Sequence, residues 1–315
     1  MQIPFAIPPA GSRPFDVVGF GENSVDLVAV VEEYPAPNTK HRLERFDRRP
    51  GGVIATAIGV CARLGWKGRY IGSFGDDELG AMSRGNLARL GIDLTASRTV
   101  AGAANRFAVI LVDSTSGERT ILWDCDPRLG FAPGDVPADA VSSGRVLIVD
   151  GNDGAASAEA ARLARAAGVP TVVDVEVTGP SIPDLLRETD AIIAAASFPA
   201  ALTGLTDVGQ ALAAMQAEFR APFVAVTLGD EGSLARCDGR EIRTPAFKVT
   251  CVDSTGAGDA FRAGFAAGCL RRPDGSIEDV LTYANAVAAL NCRALGAQGA
   301  MPTADEVDRL LYGRL

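Results

Sequence analysis

The chain has 315 residues, 47% hydrophobic and 22% charged, the balance of a globular protein long enough for a sizeable buried core. A formal charge of −9 and a pI near 4.8 argue against general binding of nucleic acid or an anionic membrane, which need basic surface. Six scattered cysteines without a C-x-x-C and a single histidine, His41, argue against a disulfide framework or zinc site, exclude any His-based triad, and suit the reducing cytoplasm.

Residues 1–14 are Pro-rich and lack a basic start followed by an apolar core, so they read as a flexible tail. No apolar run reaches membrane-spanning length. Residues 15–315 read as one domain. Strands are expected at 16–21, 70–74, 145–150, 171–175, 191–195 and 223–227. Helices are expected at 53–64, 78–90, 155–167, 209–219, 257–270, 277–294 and 304–311. Continuous apolar strands between helices predict a doubly wound α/β fold, its mostly parallel sheet covered on both faces. Ligands gather at the carboxyl ends of such strands. Two stretches break the rhythm. Residues 34–50 are extended, polar and Arg-rich. Residues 99–124 alternate, with Phe107, Val109 and Leu111 on one side, then Thr120, Leu122 and Asp124 after a turn at Ser116-Gly117. Together they predict a small β lid whose apolar face needs a cover, and hence a homodimer through the lid.

Candidate functional residues follow in chain order. After the first strand, Gly21-Glu22-Asn23-Ser24-Val25-Asp26 puts a carboxylate where both its oxygens can accept hydroxyls, with Asn23 as companion; a plain turn aspartate fits the same residues. Gly51-Gly52 opens a small-residue helix that carries Val53 and Thr56. Thr227, Gly229 and Gly232 form a Thr-x-Gly-x-x-Gly turn. Last comes Val252-Asp253-Ser254-Thr255-Gly256-Ala257-Gly258-Asp259-Ala260-Phe261, where a β-rich 245–252 runs into a glycine loop and a helix. Such a loop turns backbone N–H groups outward, and the helix start adds its dipole, making an anion site. Asp259 in that first turn would repel an anion. It makes sense as a base that takes a proton from a hydroxyl while the loop stabilises a phosphoryl group in transfer; an ordinary acidic helix start is the alternative.

The 252–261 string resembles the second signature of the PfkB/ribokinase family of carbohydrate kinases, Asp-Thr-x-Gly-Ala-Gly-Asp, with Ser254 for the first Thr. Gly51-Gly52 through Gly80 resembles the first signature, with Thr56 where sugar-binding members carry Asn. The resemblance spans roughly residues 15–302. It implies an ATP- and Mg2+-dependent kinase of a small carbohydrate. Asp259 would be the base, the loop Gly256, Ala257 and Gly258 the anion hole. Asp26, Asn23, Gly52, Val53, Thr56 and Asp259 would meet the sugar, and Thr227, Gly229, Gly232, Thr255, Gly256, Gly258 and Asn285 the nucleotide. Asp253, Thr255, Asn291, Ala294, Gly296 and Ala300 fall where potassium-activated members hold K+. The family's Asn-x-x-Glu is absent, Ala195 and Phe198 standing in its place, while Asp174-Val175-Glu176 is similar to a segment of ketohexokinase-like members. A nucleoside kinase of the same fold and a catalytically silent sugar-binding relative are the alternatives.

Overall fold

The computed structural model describes residues 1–115 and 119–313. Its strands in chain order are β1 (Val17–Phe20), β2 (Ser24–Val31), β3 (Arg45–Gly51), β4 (Gly68–Ile71), β5 (Ser73–Gly75), β6 (Arg98–Val100), β7 (Phe107–Asp113), β8 (Arg119–Asp124), β9 (Val146–Asp150), β10 (Thr171–Val175), β11 (Ala191–Ala194), β12 (Phe223–Thr227), β13 (Ser233–Cys237) and β14 (Arg240–Thr244). The main sheet runs β14-β13-β12-β11-β10-β9-β1-β4, parallel from β12 to β4, with β13 and β14 antiparallel at one edge.

Both faces of the central strands are buried, which is why β9 and β11 read as unbroken apolar runs. Successive residues feed opposite cores. Val17, Val146 and Ile148 pack with Ile58, Phe261 and Phe265 from the Val53–Arg63 and Ala257–Arg271 helices. Val18, Leu147 and Val149 pack with Ala160, Leu185 and Met215 on the other side. All seven expected helices form within a few residues of their expected ends.

The second sheet, β3-β2-β7-β8, is the small sheet expected as a lid, and its membership differs from expectation. Its inner strand β2 comes from residues expected just past the end of the first strand, so Asp26 lies inside a strand and not past the end of one. Of 34–50, only the part from Arg45 onward is strand. The start of 99–124 belongs elsewhere, because β6 pairs with β5. The expected turn at Ser116-Gly117 lies outside the described residues. Two further strands are corrected. The run 70–74 breaks at Gly72, where the chain passes so close to the Tyr70 hydroxyl that a Cβ would lie 2.1 Å from it. No strand forms in 245–252, where Pro245 follows β14 and lacks the N–H a ladder needs.

The tail expected to be loose is docked. The Met1 amine meets Glu278 at 2.7 Å, Ile3 is buried in the core, and the Phe5 ring packs 6.5 Å from that of Phe265. Arg13 also donates to the Ser142 carbonyl at 3.1 Å. Apolar residues at positions 3, 5 and 7 drive this docking, a signal that prolines mask.

Candidate active site

The main sheet presents acids at the carboxyl ends of three neighbouring strands. Glu22 follows β1, Asp150 ends β9, and Asp174 is the penultimate residue of β10. Asp150 accepts from the Glu22 backbone N–H at 2.8 Å, and Arg106 pairs with Glu22 at 2.9 Å. Burial, then the neighbouring Asp150, pushes Glu22 up to about 8, while Arg106 opposes the rise. Burial likewise lifts Asp150 to about 6 and Asp174 to about 7.

Asp259 joins this set from above, in the first turn of the Ala257–Arg271 helix. Loss of hydration first, then the charge of Asp174, holds its carboxyl well above the usual carboxylate range, with Arg262 pulling the other way. Gly256 begins the helix at φ 75°, and a Cβ there would lie 2.7 Å from the Ala297 backbone, so only glycine fits. The Ala257 amide donates to Ser254 O at 3.2 Å. The amides of Gly256 and Gly258 have no protein hydrogen bond among the described residues.

The lid supplies the opposite wall. In the register of β2, β7 and β8, residues Asp26, Ala108 and Trp123 form one cross-strand row on one face, with Val28, Ile110 and Ile121 in the next. Asp26 is buried against Gly51, where a Cβ would sit 2.5 Å from its carboxylate, and accepts from the Ser24 hydroxyl at 3.4 Å. Burial raises Asp26 to about 6 despite Ser24, and Asp253 adds to the rise. Two arginines tie the lid to the loops below. Arg119 donates to Ser254 Oγ at 3.1 Å, and Arg49 to Leu295 O at 3.0 Å. Between lid and loops lies a cleft of about 600 Å³ lined by Val28, Ile110, Arg119, Asp253, Ser254 and Gly296.

The pfkB family carbohydrate kinase model matches residues 15–304. The chain belongs to the pfkB family of carbohydrate kinases. An ATP-dependent ribose-1-phosphate kinase from Halopiger xanaduensis is 30% identical over 300 residues, 95% of this chain and 98% of that protein. A fructokinase from Klebsiella pneumoniae is 34% identical over 288 residues, 83% and 92% of the two chains. A nucleoside kinase from Methanothermobacter thermautotrophicus is 27% identical over 310 residues, 94% and 95% of the two chains. In fold, the ribokinase of Arabidopsis thaliana solved with ribose and ATP superposes with a TM-score of 0.82 at 24% identity, covering 95% of this chain and 99% of that one. The pfkB kinase described here is therefore a phosphotransferase acting on a sugar or nucleoside hydroxyl.

Several predicted site residues of this pfkB kinase are placed differently from expectation. The Asn23 amide turns inward, donating to Tyr70 Oη at 3.1 Å and Ser73 O at 2.7 Å. Gly52, at φ 89°, is required by the close Asn23 backbone, and the Val53 amide donates to Glu22 Oε1 at 3.4 Å. Thr56 is fully buried, its hydroxyl accepting from Gln298, which in turn accepts from Asn86. Asn285 is also inside, tying its helix to Ser233 Oγ at 3.0 Å. Among the residues expected to meet a nucleotide, Thr227 ends β12, and the turn after it needs Gly232 at φ 93°, where a Cβ would meet Thr244 O at 2.1 Å. At the expected cation loops, Asp253 accepts from Thr255 N at 2.8 Å and from Gly296 N at 2.7 Å, joining the two loops. Asn291 donates to Ala297 O and leaves its buried Oδ1 without a partner, while Ala294 and Ala300 stay partly exposed. Phe198 is buried in the core, as its apolar side chain requires.

Glu22, Arg106, Asp150 and Arg262 escaped the sequence reading, which singled out Asp174 only as part of a segment. A signal was available: three of the apolar strands forming one sheet each carry an acid within two residues of the strand's carboxyl end.

Proposed function

We propose that this chain transfers the γ-phosphoryl group of ATP to a hydroxyl of a small carbohydrate, with Asp259 as general base. The observation that carries the reading is the conjunction at one helix start: a desolvated carboxyl beside two glycine amides without protein partners. Those amides would meet the transferred phosphoryl group, and the carboxylate would take the hydroxyl proton. Asp26 would grip acceptor hydroxyls under the lid, whose closure excludes water. The nucleotide would lie along Thr227, Gly229 and Gly232 and the loop at Thr255, Gly256 and Gly258.

Among the described residues no three His, Cys, Asp or Glu side chains gather as a metal cage. That suits Mg2+ carried in on the triphosphate with water in most of its positions, where it would offset phosphate charge. A monovalent cation fits the loops joined by Asp253, where the unpartnered Asn291 Oδ1 supplies a buried oxygen beside backbone carbonyls of the 294–300 segment. Free cysteines suit a cytoplasmic setting, and no helix among the described residues is long and apolar enough to cross a membrane. The other lid face carries Leu27, Phe107, Val109, Leu111, Phe46 and Leu122, the last two more than half exposed. A homodimer would cover it, and light scattering at assay concentration should give about twice the single-chain 32.6 kDa.

An ADP-release assay over sugars, sugar phosphates and nucleosides tests the reading. Acceptor-dependent ADP release from at least one sugar supports it; release only with nucleosides would move the assignment there. One observation favours that second acceptor class: the Trp123 indole is 63% exposed on the cleft face of the lid, where a base could stack. No release with any acceptor would leave a silent sugar-binding relative.

A further inference from the structure

One turn beyond Asp259, the same helix buries a complete guanidinium. Arg262 is 2% exposed at its side chain and Asp174, its partner across 2.7 Å, is 1% exposed. The remaining contacts of the arginine fix its plane: Nε and Nη2 donate to Ile193 O at 3.2 and 3.1 Å, at the end of β11. Its Nη1 lies directly under the glycine loop, since a Cβ on Gly258 would come within 2.5 Å of it. Gly258 has an ordinary helical φ, so this contact and not backbone strain explains the glycine there.

A buried ion pair of this kind is costly to desolvate, and apolar side chains of the same volume commonly stabilise a fold as well or better. Its position offers a different reason for its presence. The cation lies against Gly258 and one helical turn from Asp259, close to where negative charge would build up in phosphoryl transfer, and it is shielded from water. We propose that Arg262, held by Asp174, is a positioning residue for the reaction: its guanidinium props the glycine loop and sets the basicity of Asp259. This rests on the assignment of Asp259 as base given above. Burial raises the Asp259 carboxyl; Asp174 adds to the rise and Arg262 offsets it, with Glu176 and Glu22 the other charged groups facing it. The two members of the pair therefore push the base in opposite directions.

Steady-state kinetics across pH test the idea with Arg262→Lys, Arg262→Met and Asp174→Asn. Arg262→Met should lower kcat at least tenfold while KM for ATP and acceptor stay within about threefold, the signature of lost transition-state stabilisation. Its acid limb should move to higher pH, because the cation that favoured the carboxylate is gone. Asp174→Asn should move that limb to lower pH, and Arg262→Lys, which keeps the charge, should recover part of kcat. If a single variant leaves a lone buried charge and does not fold, the double variant Asp174→Asn/Arg262→Gln carries the test through its kcat. Limbs that superpose on the parent in the folded single variants, or kcat within threefold in the double variant, would overturn the proposal. So would a loss that appears only in KM or only in melting temperature. Asp259→Asn, measured alongside, separates the two ideas: near-parent turnover there removes the base assignment itself, whereas its loss with unmoved Arg262 and Asp174 profiles removes only the strut.

Discussion

The floor of the site and its lid are built on different principles. The floor is the carboxyl edge of a parallel sheet whose strands are buried on both faces, and its acids Glu22, Asp150 and Asp174 are fixed by backbone hydrogen bonds and two arginine pairs. The lid is a four-stranded sheet held to the loops below by Arg49 and Arg119, with Phe46, Ile121, Leu122 and Trp123 largely exposed. A rigid, dry floor suits preorganised charge, which acts on the chemical step. A half-exposed sheet standing off the core suits recognition and closure, which act on binding as well. Floor substitutions should therefore appear in kcat and lid substitutions in KM.

Asp259→Asn is the strongest way to break that division. It removes the base while keeping the shape, and should lower kcat on the order of 10²–10⁴ with nucleotide and acceptor binding largely intact. Near-parent turnover would take the chemistry out of the floor.

Asp26→Ala is the matching change in the lid. A buried carboxylate that grips ground-state hydroxyls contributes to binding, and losing a charge-assisted hydrogen bond costs roughly 1.5–3 kcal/mol, about 10–100-fold in acceptor affinity. Acceptor titrations that match the parent would return Asp26 to a structural role under Gly51. Protonation gives the same test without mutation. Only the ionised Asp26 offers both oxygens as charged acceptors, so the acceptor KM of the parent should rise as pH falls through about 6.

How much of each region was legible in the sequence follows from the same physics. Parallel strands buried on both faces leave unbroken apolar runs, so β9, β10, β11 and β12 could be read off almost residue by residue. The lid strand β2 could not. Its Ser-Val-Asp-Leu alternates, follows the polar Glu22-Asn23 and is held by pairing with β3 and β7, a pairing with no local mark. The glycine loop and Asp259 were legible because a helix start has local rules. Asn23, Thr56 and Asn285 were not, because only the folded chain shows the Asn23 amide nitrogen, the Thr56 hydroxyl and the Asn285 amide nitrogen already engaged with Tyr70, Gln298 and Ser233. Arg262 lay hidden inside an apolar helix, its partner 88 positions away and invisible to any local pattern.

A stability measurement sharpens the account of the floor. Glu22 titrates near 8 in the folded chain, above its ordinary 4.5, so its contribution to stability is complete at low pH and is lost as pH rises through about 8. Glu22→Gln keeps an acceptor for Arg106 and removes that titration. Its melting temperature should fall less than the parent's between pH 5 and pH 9, by a few degrees. Parallel curves would mean that Asp150 and Arg106 already compensate the charge.

The smallest effect is expected at the lid's tether. Arg119 reaches Ser254 from an exposed edge strand, and an exposed arginine contact contributes about 0.2–1 kcal/mol. Arg119→Ala should therefore raise acceptor KM no more than about fivefold and leave kcat alone, because the loop carrying Gly256 and Asp259 keeps the bonds that Thr255 N and Gly296 N donate to Asp253 when the tether at Ser254 is lost. The change should also increase ADP release in the absence of acceptor, since a lid that closes less well admits water to the phosphoryl group. An unchanged KM with unchanged acceptor-free release would mean that the arginine is a surface contact without a part in closure. A fall in kcat would mean that the lid shares in the chemistry, and the separation of floor from lid would fail at the contact where the two meet.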